Sequence, residues 1–233
     1  MSPAVHPTAP AALGRLHVLV DSLGLAEAAL EAGAPTLQVR IKSGPDADRL
    51  RLTTTIVERC RDAGALCLVN DRVDIALATG ADGVHVGADD LPVVVARRLL
   101  GPRAVVGGTA RDPETARRLV DEGATYLGVG PTFATRTTRG LPDPIGVEGV
   151  RAVVEAVDVP VIAISGVTPD KVDEVIAAGA YGVAVIGAVA DSADPHIATH
   201  DLLMAVAKAV GAGDTPRPAE QRVAGQRPAG DEP

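Results

Sequence analysis

The stretch AAGAYGV at residues 177–183 decides the fold, because variants of it recur along the chain. Each copy places Gly-Ala after a helical stretch and before an apolar run. A glycine at this point suits the left-handed backbone conformation that ends a helix, and the chain can then enter a buried strand. The other copies are EAGAPTL (31–37), DAGALCL (62–68), ATGADGV (78–84) and DEGATYL (121–127). The pattern predicts a joint from helix to strand that is used five times.

Apolar runs around these joints predict eight strands, and helical stretches fill the gaps between them. The clearest helices are 46–63, in which Leu50, Val57 and Cys60 share one face, and 113–122. The predicted strands are 16–21, 36–41, 66–71, 83–87, 104–109, 126–131, 159–165 and 182–188.

Alternation of eight strands with helices predicts a single α/β domain, a (β/α)8 TIM barrel over residues 15–211. The alternative is an open doubly wound sheet, which would carry a glycine-rich fingerprint after its first strand. The turn at that point reads VDSLGLAEA and lacks the fingerprint. Residues 1–14 and 212–233 are expected to be disordered tails, because they are rich in Pro, Gly and polar residues.

Charge and cysteine content restrict the classes of partner. A net charge of −8 and a pI near 5.1 argue against nucleic acid or an anionic membrane surface as a main partner. No apolar run approaches the length of a membrane span. Cys60 and Cys67 fit no metal-binding spacing and are typical of free thiols in a reducing compartment. We therefore expect a cytoplasmic protein with small-molecule substrates, and the sequence leaves open whether it forms a homo-oligomer.

Polar residues at the strand ends are the candidates for a site, because active sites of parallel barrels lie at the carboxyl ends of the strands. The second strand ends QVRIK, in which Gln38, Arg40 and Lys42 alternate and therefore share one face. A solvated face is the alternative interpretation of alternating charges. A strand covered on both sides favours instead an anion site in the barrel mouth.

Carboxylates follow the next two strands. The third strand ends Asn70-Asp71, and Asp89 and Asp90 follow the fourth. Two carboxylates beside cations are what a Mg²⁺ ion bridged to a phosphate requires. The alternative is that each aspartate caps the helix after it. His85, within the fourth strand, is interpreted as a structural residue of the interior.

A second anion site is predicted from strands six to eight. The sixth strand leads into PTFATRTTRG at 131–140, and Gly166 and Gly187 follow the seventh and eighth strands. The last loops of such barrels commonly bind phosphate through backbone N–H groups. We expect this site to be uncharged, built from backbone amides and threonines.

Taken in order, these motifs resemble thiamine phosphate synthase. The series is QVRIK, VNDRVDIALATGADGVHVG, DD, GGT, GVGPTFATRTT, AISGV and GVAVIGAV, over about residues 16–190. The resemblance implies a Mg²⁺-dependent transferase. It would join 4-amino-2-methyl-5-hydroxymethylpyrimidine diphosphate to a thiazole phosphate, giving thiamine phosphate and pyrophosphate.

The resemblance also implies roles for residues that match the family motifs. Asp71 and Asp90 would be the Mg²⁺ ligands. The pyrimidine diphosphate would contact Gln38, Arg40, Lys42, Asn70 and Thr109, and the last four of these would be catalytic. The thiazole phosphate would contact Thr135, Thr137, Gly166, Ile186 and Gly187.

Some positions depart from the family pattern. Thr138 stands where the family has a lysine on the diphosphate, so Thr138 and Arg139 are the candidates to replace it. The family often has serine at Gly187 and a Gly-Gly pair at Ser165-Gly166. Two alternatives therefore stay open: a thiazole tautomerase of the same pathway, and a non-catalytic phosphate-binding barrel.

Overall fold

Eight parallel strands close into a barrel in sequence order, as predicted. A computed structural model of the chain describes residues 13–135, 137 and 140–213. Each strand pairs in parallel with the next, and β8 returns to β1. The strands are β1 (Leu16–Val20), β2 (Thr36–Val39), β3 (Leu66–Asn70), β4 (Gly83–Val86), β5 (Val105–Ala110), β6 (Tyr126–Val129), β7 (Val161–Ile164) and β8 (Gly182–Val185).

Helices connect the strands and form the outer layer. They are α1 (Leu23–Glu31), α2 (Asp46–Ala63), α3 (Val73–Thr79), α4 (Val93–Leu100), α5 (Pro113–Asp121), α6 (Gly146–Val154), α7 (Val172–Ala177), α8 (Gly187–Ala190) and α9 (Pro195–Gly213), with a short 3₁₀ turn at Pro169–Lys171. The α2 range was predicted without error, but its buried face was not. Leu50 is 39% exposed, whereas Thr53 and Ile56 are buried with Val57 and Cys60.

The five predicted joints are confirmed. Their glycines all have positive φ, a conformation that L-residues with a Cβ rarely adopt. The φ values are +94° at Gly33, +68° at Gly64, +65° at Gly80, +101° at Gly123 and +98° at Gly179. The recurring Gly-Ala pattern therefore marks positions where the backbone adopts a positive φ.

The core has two layers, one between barrel and helices and one inside the barrel. The outer layer is built almost entirely from Val, Ala, Leu and Ile. Because parallel strands are covered on both faces, their inward residues are buried too. The inner cluster consists of Leu19, Leu66, Leu68, Tyr126, Ile162 and Ala184.

The barrel interior makes room for two large side chains by omitting others. A Cβ at Gly107 would lie 2.2 Å from Cζ of Tyr126, and one at Gly128 would lie 2.8 Å from Cε1 of His85. Such approaches exceed what packed interiors tolerate. The two glycines therefore fix where the Tyr126 and His85 rings lie.

The chain ends and the cysteines complete the fold. The predicted tails, 1–14 and 212–233, fall mostly outside the described residues. Two residues of the first tail contact the barrel, since Gly14 N–H donates to Thr36 Oγ1 (3.1 Å) and the Leu13 carbonyl accepts from Tyr181 (2.9 Å). Both cysteines are buried free thiols. Within the described part of the chain, no helix has the length and apolarity needed to cross a membrane.

Candidate active site

The strand ends at β2 and β3 pair their predicted polar residues directly. Gln38, buried inside the barrel on β2, donates through Nε2 to Oδ1 of Asn70 at the end of β3 (3.0 Å). β2 is shorter than the predicted range 36–41, because the strand ends at Val39. Arg40 and Lys42 therefore lie in the loop beyond it, where they have more freedom to meet a ligand.

Lys42 and Asp71 form an ion pair at the mouth. Lys42 Nζ lies 2.5 Å from Asp71 Oδ2, and the lysine side chain is exposed. Asp71 has a φ of 67°, unusual for a residue with a Cβ. Its N–H donates to the His85 carbonyl (2.8 Å), which holds the turn in this conformation. Backbone strain of this kind is concentrated at functional sites.

Asp90 is the second predicted carboxylate, and its surroundings are unusual for a surface aspartate. Its Oδ2 accepts from the Gly87 N–H (2.8 Å). Burial and a hydrogen-bonding contact with the Asp71 carboxyl raise the pKa of Asp90. The capping alternative is wrong for Asp71 and Asp89, since α3 and α4 begin after Arg72 and Pro92 with no side-chain cap.

The donor set at this point suits Mg²⁺. A cation beside the two carboxyl groups would favour the charged form of Asp90, whose pKa burial and the Asp71 contact raise. No group of three or more His, Cys, Asp or Glu gathers anywhere in the described ranges. Mg²⁺ commonly takes only one or two protein carboxylates and completes its octahedron with water and substrate phosphate. Asp71 and Asp90 therefore fit the ion as a shared site with a diphosphate.

Arg40 lies on the β1 side of the mouth. With Asp21 and Ile186 it lines a small cavity of about 30 Å³ between the ends of β1, β2 and β8. Its N–H donates to the Val20 carbonyl (2.8 Å), so its backbone continues the barrel ladder by one residue. Arg40 thus lines a different part of the mouth from the Lys42–Asp71 pair, and Gln38, Arg40 and Lys42 do not form one row.

A salt-bridge network that the sequence reading missed connects the loops of Lys42 and Asp71. Asp46 accepts from Arg49 and from Arg72, each at 2.8 Å, and Arg49 also donates to the Lys42 carbonyl (3.3 Å). Hydrogen bonds from Arg72 and then Arg49 lower the pKa of Asp46. In the sequence, Arg72 could have indicated this network, because it directly follows Asn70-Asp71 at a strand end. Asp46 and Arg49 resemble ordinary charged residues on a helix surface.

The predicted second anion site is a cavity of about 290 Å³ at the ends of β6, β7 and β8. It brings together the predicted Thr135, Thr137, Gly166, Ile186 and Gly187. Thr137 N–H donates to Thr135 Oγ1 (3.2 Å), which curls the loop around the cavity. Thr138 and Arg139, the candidates to replace the family lysine, lie outside the described residues.

Close packing holds the floor of this cavity. Thr132 N–H donates to the Ile164 carbonyl (2.8 Å) and Phe133 N–H to the Ser165 carbonyl (3.0 Å). Gly166 has a φ of +68°, and a Cβ there would lie 2.6 Å from the Ala134 carbonyl oxygen. Only glycine allows the β6 loop to lie this close to the end of β7.

The expectation that this second site is uncharged is wrong. Lys171 and Asp191 both line the cavity. Lys171 Nζ donates to the Gly166 carbonyl (3.2 Å) and lies 4.6 Å from the centre of the Phe133 ring, a cation–π arrangement. A Cβ at Gly187 would lie 2.7 Å from Asp191 Oδ2, so the carboxylate occupies the space that a larger residue would take. Neither residue directly follows a strand, so the strand-end pattern in the sequence predicts neither of them.

His85 contacts a predicted site residue from below. Its Nε2 lies 2.9 Å from Thr109 Oγ1 and its Nδ1 lies 2.9 Å from the Tyr126 hydroxyl. Burial lowers the pKa of His85 to about 4, so the imidazole is neutral near pH 7. Burial also raises the pKa of Tyr126, which stays protonated.

Comparison with known proteins adds an independent line of evidence. The family model described as thiamine monophosphate synthase matches residues 16–189. The chain is 50% identical to a thiamine-phosphate synthase of Salinispora arenicola over 196 residues, 80% of this chain and 94% of the relative. It is 51% identical to one of Salinispora tropica over 203 residues, 83% of this chain and 98% of the relative.

Solved structures agree with these relatives. A thiamine phosphate pyrophosphorylase from Pyrococcus furiosus superposes with a TM-score of 0.79 at 37% identity, over 84% of this chain and 97% of that one. A 3-hexulose-6-phosphate synthase superposes with a TM-score of 0.62 at 21% identity, over 83% of this chain and all of that one, which reflects the shared barrel.

Proposed function

The chain belongs to the thiamine monophosphate synthase family, and from this premise we propose that it joins 4-amino-2-methyl-5-hydroxymethylpyrimidine diphosphate to a thiazole phosphate. The products are thiamine phosphate and pyrophosphate. The names of the relatives confirm the predicted transferase and do not favour the tautomerase or the non-catalytic barrel. The observation that supports the assignment to this mouth is its division into a carboxylate–lysine cluster and a separate cavity of about 290 Å³.

The reaction breaks one bond and forms one. The bond between the exocyclic carbon and the diphosphate oxygen breaks, and the pyrophosphate leaves with the electron pair. The amino-substituted pyrimidine stabilises the cation left behind. The thiazole nitrogen then donates its lone pair to that carbon to form the new C–N bond. No protein nucleophile is needed, so catalysis consists of positioning and of stabilising charge on the leaving group.

The β2–β5 side of the mouth would bind the pyrimidine diphosphate. Gln38 and Asn70, already hydrogen-bonded to each other, present amide groups suited to the pyrimidine edge. Lys42 and Arg40 supply positive charge for the diphosphate. Asp71 and Asp90 would hold Mg²⁺, which supplies neutralisation of negative charge on the diphosphate oxygens when bound.

The Asp46 network supports this half of the site. Arg49 and Arg72 both bind Asp46, and the three residues tie the loop of Lys42 to the turn of Asp71. A lysine that loses less freedom on meeting its ligand binds it more tightly. We assign Arg49 and Arg72 as positioning residues because their contacts are to the backbone of Lys42 and to Asp46.

The cavity at β6–β8 would bind the thiazole phosphate. Thr135 and Thr137 offer hydroxyls, and Gly166 and Gly187 also line the cavity, where their backbone N–H groups would donate to the phosphate. Among the described residues that line the cavity, Lys171 contributes a positive charge that favours an anion, with its Nζ 3.2 Å from the Gly166 carbonyl. By resemblance alone, Thr138 and Arg139 would complete the site between the two substrates. A cytoplasmic location fits the two free thiols and the biosynthetic role of the family.

The deciding experiment is an assay with both substrates and Mg²⁺ that follows thiamine phosphate by chromatography and pyrophosphate by a coupled reaction. We expect both products in equal amounts. Turnover of a thiazole carboxylate phosphate without pyrophosphate release would contradict the proposal. The same assay at pH 7 without Mg²⁺ measures the contribution of the ion.

A further inference from the structure

His85, Tyr126 and Thr109 form a buried chain of hydrogen bonds that ends at the mouth. Tyr126 is on β6, His85 on β4 and Thr109 on β5, and all three side chains point into the barrel. Both links are 2.9 Å long. The Tyr126 and His85 rings occupy the space that a Cβ at Gly107 or Gly128 would take, so close packing holds the hydrogen-bonded side chains in place.

Two proton arrangements satisfy these distances. In the first, the Tyr126 hydroxyl donates to His85 Nδ1, and His85 Nε2–H donates to Thr109 Oγ1. In the second, Nδ1–H donates to the tyrosine oxygen and the Thr109 hydroxyl donates to Nε2. The neutral imidazole carries one proton, so the two arrangements exclude each other.

The first arrangement satisfies more groups. In the part of the chain that the structure describes, His85 Nδ1 is the polar atom within hydrogen-bonding distance of the Tyr126 hydroxyl. If Nδ1 carried the proton, the buried tyrosine O–H would have no acceptor there. A buried donor without a partner costs about 1–3 kcal/mol, which is enough to select the Nε2–H tautomer.

This tautomer decides what Thr109 can do. Its oxygen accepts from Nε2–H, so its own hydrogen is free. Thr109 lies near the carboxyl end of β5 and is half-buried, with its inner side on His85 and its outer side toward the mouth. A free hydroxyl hydrogen at this place is available for donation to a ligand in the mouth.

We propose that Tyr126 and His85 are positioning residues that orient the Thr109 hydroxyl as a hydrogen-bond donor to the departing diphosphate. The hydroxyl keeps its proton throughout; it stabilises negative charge that grows on the leaving oxygens. The inference rests on the proposed function for the identity of the anion, and it assigns to His85 a role beyond interior packing.

A double-mutant cycle tests the chain. Thr109→Val removes the hydroxyl at constant shape, and we expect kcat to fall about 10²-fold. Tyr126→Phe removes the hydrogen bond to His85 Nδ1 that selects the Nε2–H tautomer. We expect kcat to fall about fivefold to tenfold, with the KM for the pyrimidine diphosphate nearly unchanged. Because Tyr126 acts through Thr109, the double variant should equal Thr109→Val alone. A product of the two separate effects would overturn the proposal.

Two controls separate this role from a structural one. Tyr181→Phe removes the other tyrosine hydroxyl, which donates to the Leu13 carbonyl far from the mouth, and should leave kcat unchanged. Thr109→Ser keeps the hydroxyl and should retain most of the activity.

A spectroscopic measurement needs neither substrate nor variant. In ¹⁵N-labelled wild-type protein near pH 7, the His85 ring should show a protonated Nε2 and an unprotonated Nδ1. The reverse tautomer would overturn the proposal even if thiamine phosphate is formed. Failure of the synthase assay, with the Nε2–H tautomer observed, would instead count against the proposed function alone.

Discussion

The two halves of the barrel mouth, each proposed to bind an anion, are built from different kinds of contact. The β2–β5 half uses side chains tied to one another, as in the Lys42–Asp71 pair and the Gln38–Asn70 hydrogen bond. The β6–β8 half uses backbone shape, with Gly166 and Gly187 placed where a Cβ would strike neighbouring atoms. Its one lysine, Lys171, comes from outside the strand ends.

The difference teaches where substitutions should be costly and in which property. Removing a charge from the first half should reduce the rate and leave the fold intact, because its charged residues lie at partly or fully exposed positions after the strand ends. Adding atoms to the second half should damage folding and binding together, because its floor is closely packed backbone. The predictions below separate these two kinds of cost.

The largest effect is expected at Asp71. Asp71→Asn removes a proposed Mg²⁺ ligand and the ion-pair partner of Lys42, and we expect kcat/KM to fall at least about 10²–10³-fold. Steady-state pyrophosphate release at high Mg²⁺ measures it. The matched control is Asp48→Asn, which removes an exposed carboxylate paired with Arg51 on α2. A change of less than a few-fold for Asp71→Asn would remove that residue from the site.

Gly166→Ala is expected to be the most costly single methyl group in the second half. Gly64→Ala is the matched control, because both glycines have a φ of +68° and a Cβ at Gly64 would meet nothing within 4 Å. The left-handed conformation alone should cost about 1–2 kcal/mol of unfolding free energy in both. The clash with Ala134 should cost Gly166→Ala about 1–3 kcal/mol more. Urea denaturation compares them, and equal losses would mean that the floor can relax.

Lys171→Met tests the charge in the second half. The KM for the thiazole phosphate should rise about tenfold, the effect of losing a charge-assisted hydrogen bond. The KM for the pyrimidine diphosphate should stay the same. Lys208→Met removes an exposed lysine on α9 that pairs with Asp173 (3.3 Å) and serves as the control. Equal KM values for wild type and Lys171→Met would show that the cavity binds phosphate without the lysine.

Ser165→Gly should produce the smallest effect, and a stabilising one. Ser165 has a φ of 77°, a conformation that glycine adopts without strain. We expect about 0.5–1 kcal/mol of added unfolding free energy, since the relief of strain exceeds the extra chain entropy. Ser165→Ala keeps the strain and should give no gain. A loss of stability on Ser165→Gly would mean that the serine hydroxyl contributes more than the strain costs.

The fold was predictable because its decisive features are local. Gly33, Gly64, Gly80, Gly123 and Gly179 each mark a helix end, and the apolar runs after them could only be buried strands. The missed detail, exposed Leu50 on α2, depends on how that helix rotates against the barrel. The rotation of a helix about its axis is set by packing against neighbouring elements and cannot be deduced from the sequence of that helix alone.

The site was predictable where it sits directly at a strand end. Asn70 ends β3 and Asp71 follows it, and their side chains contact Gln38 on β2 and Lys42 in the loop after β2. Lys171 was not predictable in this way, because it is the last residue of the 3₁₀ turn Pro169–Lys171, five residues after Gly166, and its long side chain returns to the cavity.

The buried polar residues form a third case. His85 could be placed inside the barrel from its position in β4. Its contact with Thr109 could not be predicted, because it depends on Gly107 and Gly128, on the neighbouring strands β5 and β6, leaving space for the ring.

The most direct test of the divided mouth is calorimetric binding of two ligands to two variants. The ligands are thiazole phosphate and pyrophosphate with Mg²⁺, and the variants are Asp71→Asn and Lys171→Met. We predict that Asp71→Asn loses the Mg²⁺-dependent binding of pyrophosphate and retains thiazole phosphate. We predict that Lys171→Met binds thiazole phosphate about tenfold more weakly and pyrophosphate with Mg²⁺ as tightly as wild type. Equal weakening of both ligands in both variants would contradict the account, because it would mean that the mouth binds its anions at one shared site.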